Sequence, residues 1–356
     1  HRSCGDRDVA GESRRIRDVL MSLRISAGLP TGMEGLTYPI PFSEPETIIR
    51  IAQAAEKFGY DSVWGNDHMT TQNYVRAEFP VPPRFWEPLM VYAFVLSNTT
   101  TLKVGTGVLV LPMRRDIVVT AKQIATLDHF GKGRLEIGVG IGAYREEFKA
   151  LQPDSKLERG DIVDEGLQAL RLLFADRVAS FEGKYYRFKD VELYPKTYQK
   201  RIPIYVGGNN ANNIRRTVTW GDGWLPAGME VDRLGALVKE MHEMAEKAGR
   251  DPKSIEVAPQ FVVHLGKTRE AARARYGESQ MSKHLTSLAK STLKEQKASS
   301  EDINLIGSPQ EVIEKAMAFR KAGVTHFLGL YFAANSADEL VDQMQMFAEE
   351  VMPKIK

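Results

Sequence analysis

Only one cysteine, Cys4, stands in the 356 residues, so the sequence offers neither a disulfide framework nor a thiolate zinc site. A reducing, cytoplasmic setting is the expectation that follows. No apolar run approaches the ~20 residues needed to cross a bilayer, which excludes a membrane-spanning helix. Charge of one sign is also missing. The 48 Lys and Arg against 46 Asp and Glu leave a net charge of +2, and the basic residues are dispersed, so nothing points to nucleic acid. The sequence has no G-x-S-x-G elbow, no P-loop and no H-E-x-x-H. Its seven histidines show no close ligand spacing, and no metal is expected. Met241, Met244, Met344 and Met346 fall in helical patterns and read as core filler.

Residues 1–20 alternate charges without an apolar core and read as a tag, an upstream translated stretch or a disordered arm. From Met21 to Lys356 one domain is expected. Eight short apolar runs recur: 23–29, 61–65, 102–111, 134–139, 202–206, 223–225, 255–263 and 325–331. Most are continuous rather than alternating, as in parallel strands buried on both faces. Amphipathic helices separate them. Ser43-Glu44-Pro45-Glu46 and Ser308-Pro309-Gln310-Glu311 read as capping boxes with proline in the first turn, and Ser336 with Glu339 as one without. Gly59 and Gly323 punctuate two helix ends. The pattern predicts an α/β fold, a (β/α)8 TIM barrel. Two interruptions are read as a β-hairpin insertion (178–195) and a long helical or loop insertion before the last strand (267–301) that covers the barrel mouth.

In such a barrel the working groups lie just past the carboxyl ends of the strands. Asp67 and His68 follow the second run, placed for proton transfer or for bonding a heterocycle. The plainer alternative is a turn cap beside an exposed imidazole. Gly105 and Gly107 interrupt the third run, which implies either close approach of another group or tight packing. Gly138, Gly140 and Ala143 formally fit a G-x-G-x-x-G/A fingerprint. They follow a fourth strand rather than a first, so they read better as a backbone lip, with Gly142, Tyr144 and Glu146 beside it. Gly207, Gly208 and Asn209 open a helix whose free amides suit a phosphate, unless the turn is merely tight. Ala227 and Gly228 supply a second glycine-rich edge.

The ordered set GYDSVWGNDH, TTLKVGTGVLVLP, AKQIATLDHFGKGRLEIGVGIGAYREEF, FEGKYY, PIYVGG and GDGW resembles the luciferase-like monooxygenase superfamily, and within it the coenzyme F420-dependent branch. The resemblance covers nearly all of 21–356. It implies a reduced cofactor, coenzyme F420 in preference to FMN, lying across the mouth. A non-prolyl cis peptide at Gly107–Val108 would face the ring, and Asp67 and His68 would contact it and assist proton transfer. The phosphate would sit at Gly207, Gly208 and Asn209, near Ala227 and Gly228, with Gly140, Gly142 and Tyr144 completing the cofactor contacts. Ala143 stands where some deazaflavin dehydrogenases carry glutamate, so their proton donor is not transferred to this chain. The implied chemistry is hydride exchange with a small organic substrate. The FMN alternative oxygenates the substrate with oxygen and is fed by a separate reductase. A homodimer is implied on the same basis. Two rivals stand beside this reading: a Rossmann dehydrogenase built on Gly138-Val139-Gly140, and a flavin-binding barrel without turnover.

Overall fold

Apolar runs with no polar face form strands buried on both sides here, because helices cover the outer face and side chains fill the inner one. The structure is a computed structural model that describes residues 23–153, 158–291 and 302–356. The expected N-terminal arm, 1–20, and the end of the polar stretch, 292–301, lie outside the described residues. Thirteen strands follow in chain order: β1 (Arg24–Leu29), β2 (Ser62–Gly65), β3 (Lys103–Thr106), β4 (Leu109–Val110), β5 (Leu135–Gly140), β6 (Ala179–Glu182), β7 (Arg187–Val191), β8 (Ile204–Gly207), β9 (Gly223–Leu225), β10 (Glu256–Val257), β11 (Gln260–Leu265), β12 (Leu305–Gly307) and β13 (His326–Phe332). β6 and β7 form the antiparallel hairpin expected within 178–195. The others form one sheet, and every pairing in it is parallel.

Its path runs β10-β9-β8-β5-β3-β2-β1-β13-β11-β12, with β4 beside β5. β10 stands at one end and β11 near the other, yet only Ala258 and Pro259 separate them in the chain. A sheet with that order must curl. The inner face agrees, since Trp64, Tyr205, Leu225, Ala258 and Leu328 come from well-separated strands or links and pack together, with Val108 against them. Gly105 is part of this packing. A Cβ there would meet the Trp64 ring at 2.5 Å, so at this position tight packing accounts for the glycine.

Three expectations change in detail. Run 255–263 is broken at Pro259, which has no N–H for a ladder. Run 102–111 divides at Gly107–Val108, whose peptide is cis. The three-residue β12 went unforeseen, since it is too short to show a period. In the polar stretch, the helices Arg269–Gly277 and Gln280–Ser291 bear out its helical character as far as it is described.

Capping follows the sequence at most ends. Ser308 and Glu311 form the reciprocal box, Ser336 caps through Glu339 N–H, and Gly59 and Gly323 adopt φ of +80° and +112°. Ser43 is the exception. The helix Pro45–Lys57 starts from Glu44 without a side-chain cap, and the Ser43 N–H that a capping box would offer to Glu46 goes to the buried Glu34 carboxylate, which takes the N–H groups of Phe42 and Ser43 at 2.6 and 3.3 Å.

The amino end of the sheet is closed by a buried polar network. Arg24 grips Glu136 with both Nη2 contacts at 2.8 and 2.9 Å and reaches Tyr205 Oη at 2.9 Å and Glu256 at 3.3 Å. His326 Nε2 bonds Ser26 at 2.7 Å, and Ser26 bonds Ser62 at 2.6 Å. No helix among the described residues is long and apolar enough to cross a membrane.

Candidate functional site at the carboxyl rim

β2 and β3 end side by side, and Gly107 N–H donates to Gly65 O at 2.8 Å. The next residues therefore leave the sheet together, and side chains lock them. Asp67, buried, accepts from Val110 N–H at 2.9 Å and from Arg114 at 2.8 Å. Arg114 also binds Glu87 at 2.9 Å. Burial pushes the Asp67 carboxyl up, against the pull of Arg114 and the Val110 N–H. Asp67 thus braces the rim. It is no exposed turn cap, and it shares no hydrogen bond with His68 among the described residues.

His68 has a different carboxylate. Its Nδ1 lies 3.2 Å from Glu147 Oε2, while Glu147 Oε1 accepts from Met69 and Thr70 N–H at 2.5 and 3.2 Å. Burial opposes the Glu147 charge, but His68 and these two amides outweigh it and hold the carboxyl below its usual range. A carboxylate only accepts, so the 3.2 Å contact to Glu147 places the proton on Nδ1, outweighing the longer approach of Gln72 Nε2 to that atom at 3.4 Å, and leaves the Nε2 lone pair of the neutral ring unclaimed. The adjacent Glu146 does another job, taking Asn73 N–H at 3.0 Å at the start of the helix Asn73–Glu78. Phe85 and Tyr144 flank the His68 ring, with centroids at 5.5 and 5.7 Å.

The lip after β5 depends on Gly142, whose φ is +74° and where a Cβ would strike Phe148 at 2.6 Å. Arg159 Nη1 holds its carbonyl at 2.7 Å. Gly140 and Gly207 serve a common purpose, because a Cβ on either would meet the Val108 side chain at 2.6 or 2.7 Å. Val108 is seated between the two strand ends by the absence of side chains there.

After β8 the amides are less free than expected. Gly208 N–H donates to Leu225 O at 3.0 Å, and Ala227 N–H donates to Asn209 Oδ1 at 2.8 Å. Both are spent on joining the two loops, a correction to the reading of open donors. Asn210 caps the helix Ala211–Trp220. A Cβ on Gly228 would lie 3.0 Å from Ile303 O.

Several side chains at the rim escaped the sequence reading. Gln260 Nε2 bonds Tyr331 Oη at 2.7 Å, and the same Nε2 would lie 2.9 Å from a Cβ on Gly107. Two acceptors beside His68 in sequence, Asn66 Oδ1 and Gln72 Oε1, are buried without a partner among the described residues.

The family model described as Luciferase-like monooxygenase matches residues 21–326. The chain belongs to the luciferase-like monooxygenase family. It is 28% identical over 356 residues to the F420-dependent glucose-6-phosphate dehydrogenase of Segniliparus rotundus, spanning 94% of this chain and 99% of that one. Two solved structures share the fold. An F420-dependent secondary alcohol dehydrogenase in complex with an F420–acetone adduct matches with TM-score 0.75 and 20% identity over 94% of this chain and 100% of that one. The oxygenating constituent of 3,6-diketocamphane monooxygenase, from the CAM plasmid of Pseudomonas putida and in complex with FMN, matches with TM-score 0.72 and 20% identity over 94% and 99%.

In this luciferase-like chain Gly138 serves packing, not a dinucleotide. A Cβ there would lie 2.1 Å from the Thr106 carbonyl oxygen, which is backbone and cannot swing aside. Gly138→Ala is expected to destabilise the fold by about 1–3 kcal/mol. Urea unfolding checks this, and a shifted NAD affinity at unchanged stability would revive the Rossmann alternative.

Proposed function

We propose that this luciferase-like oxidoreductase binds a deazaflavin, coenzyme F420 in preference to FMN, and exchanges a hydride with a small organic substrate. In this reading the sheet closes as an eight-stranded barrel, the stretch 256–265 serving as one strand that joins β9 to β13, and 21–356 is one domain. The observation that carries the proposal is the His68–Glu147 pair, which leaves one imidazole nitrogen unclaimed at the rim that Gly107–Val108 also reaches. The F420-dependent relative at 28% identity supports the choice of cofactor.

The rim suits a flat heterocycle. Gly107 offers backbone without a side chain, and Val108 stands between Gly140 and Gly207 where a ring can rest on it. Asn66 Oδ1 and Gln72 Oε1 are buried acceptors that a ring N–H can satisfy, and leaving such groups unmet is costly. When bound, the ring supplies the hydride exchange. His68 Nε2 takes the proton of a substrate hydroxyl in the oxidising direction and returns it in the other. Glu147 sets the tautomer and steadies the imidazolium. Asp67 acts at one remove, holding the rim through Arg114, so it is a positioning residue. With the Gly208 and Ala227 amides engaged, the phosphate falls to Asn209 and the first turn of Ala211–Trp220. Gly142 and Tyr144 border the ring, and Gly228 shapes the opposite edge. In the direction that reduces the substrate, a separate reductase restores the spent cofactor, and two copies of the chain pair.

Titration of the purified chain with coenzyme F420 and with FMN, followed by fluorescence quenching, tests this directly. Tighter F420 binding is expected. Tight FMN binding with none for F420 would transfer the reading to an oxygen-using monooxygenase fed by a flavin reductase.

A further inference from the structure

The helix Gln280–Ser291 belongs to the stretch expected to cover the mouth, and it brings one side chain to the rim. His284, buried, shares a hydrogen bond with Tyr74, its Nδ1 2.7 Å from the phenol Oη, and the rings lie 5.9 Å apart at 22°. Tyr74 Oη in turn stands 3.5 Å from Tyr144 Oη, at the outer limit of a hydrogen bond. Tyr144 already flanks the His68 ring at 5.7 Å. A continuous wall therefore runs from the proton-handling imidazole, through two phenols, to a second imidazole.

Charge decides what such a wall can hold. Burial, and then the nearby His68, push the His284 imidazole down to about 4, so it is neutral at ordinary pH. Burial pushes the Tyr144 hydroxyl up to about 12. The Tyr74 hydroxyl is raised still further, first by burial and the neighbouring Tyr144, then by Glu78 and Glu146. All three groups are thus uncharged donors or acceptors, none of them pairs with Lys or Arg among the described residues, and the nearby formal charges felt by the phenols are carboxylates. A phosphate or carboxylate ligand would find no cation to pair with on this wall, whereas a hydroxyl or carbonyl would find both hydrogen bonds and aromatic surface.

We propose that Tyr74, Tyr144 and His284 form the specificity wall of the substrate site, selecting an uncharged cyclic or aromatic alcohol or ketone over phosphorylated and carboxylate compounds. This rests on the function proposed above only in taking the site as a substrate site. His284 Nε2 has no hydrogen bond among the described residues and is the atom offered to the ligand, as a donor to a carbonyl or as an acceptor from a hydroxyl, because the Tyr74 hydroxyl can serve either tautomer at Nδ1.

The test is a ligand-observed NMR screen of the full chain with a mixed set of neutral and anionic fragments. Cyclohexanol, 1-phenylethanol and acetophenone stand for the neutral class, glucose 6-phosphate and benzoate for the anionic. The screen is repeated on Tyr74→Phe and His284→Phe, with thermal unfolding and coenzyme F420 quenching recorded on the same samples. Neutral hits are expected, weakened about 3–10-fold in either variant, with a single cooperative melt retained at a lower midpoint and F420 affinity unchanged. Anionic hits in preference, the absence of neutral hits, or neutral hits indifferent to both variants overturn the proposal. Failure of F420 to bind while the neutral hits respond to the variants would sink the cofactor reading and leave the wall standing.

Discussion

Replacing His68 with alanine lowers kcat by about 10²–10⁴-fold on any substrate the chain turns over, the range expected for loss of a general acid–base, while cofactor affinity holds. The expectation follows from the arrangement around the ring. Glu147 claims Nδ1 at 3.2 Å, so the remaining nitrogen is the basic one, and no other described side chain at the rim combines an unclaimed lone pair with a carboxylate behind it. Glu147→Gln gives a smaller loss, about 10–100-fold, the worth of a hydrogen bond to a charged group. A structural role for Glu147 alone, through Met69 and Thr70 N–H, would lower stability and leave kcat of the folded enzyme unchanged. If His68→Ala keeps full turnover, the imidazole has no part in the chemistry.

The second large effect lies at the opposite end of the strands. Arg24→Met strands the Glu136 carboxylate, whose side chain is 2% exposed, with only Lys103 at 3.4 Å to answer it. Breaking a buried pair from one side costs about 3–5 kcal/mol, read as a lower urea midpoint at pH 7. Adding Glu136→Gln to Arg24→Met recovers part of that loss, since the orphaned charge is gone; strictly additive losses would deny the coupling.

The same network sets an acid limit. Burial, and then Arg24, hold His326 below its ordinary 6.5, so the unfolded chain binds its proton first and stability falls as pH drops below about 6.5. Burial opposes the charge on Glu256, but His326, Arg24 and Tyr205 pull it down to about 2. Arg24 and Lys103 likewise hold Glu136 low against its burial. Both carboxylates contribute stability that is complete above about 4.5 and is lost as pH falls toward their folded values. A urea midpoint that is flat from pH 7 to 3 contradicts this.

The fold was legible because its signals are local and repeated. Eight apolar runs, proline and serine at helix starts, and glycine at two helix ends each report on a few neighbouring residues. The site was legible only in part, because glycine is ambiguous. Gly105 and Gly107 sit two residues apart in one run, yet Gly105 makes room for Trp64 while Gly107 faces Gln260 and Tyr331. Gly140 and Gly207 suggested a cofactor, and in the structure what fills their missing side chains is Val108. Partner choice was hidden as well. The neighbours Glu146 and Glu147 cap a helix and orient His68 respectively, and no spacing rule separates them. Asp67 and His68 were given one shared role because they are adjacent, but adjacent residues leaving a strand face apart, and Arg114 lay within reach of Asp67. His284 was out of sight altogether, since its link to Tyr74 spans 210 positions.

The central claim is that a flat heterocycle rests on the Gly107–Val108 backbone with His68 Nε2 beside it. A crystal structure of the chain soaked with oxidised coenzyme F420 tests it most directly. Ring density is expected in van der Waals contact with Gly107 and Val108, with the imidazole at its edge. Ring density lodged elsewhere, such as the groove lined by Ile141, Arg145, Phe148 and Arg159, would contradict it.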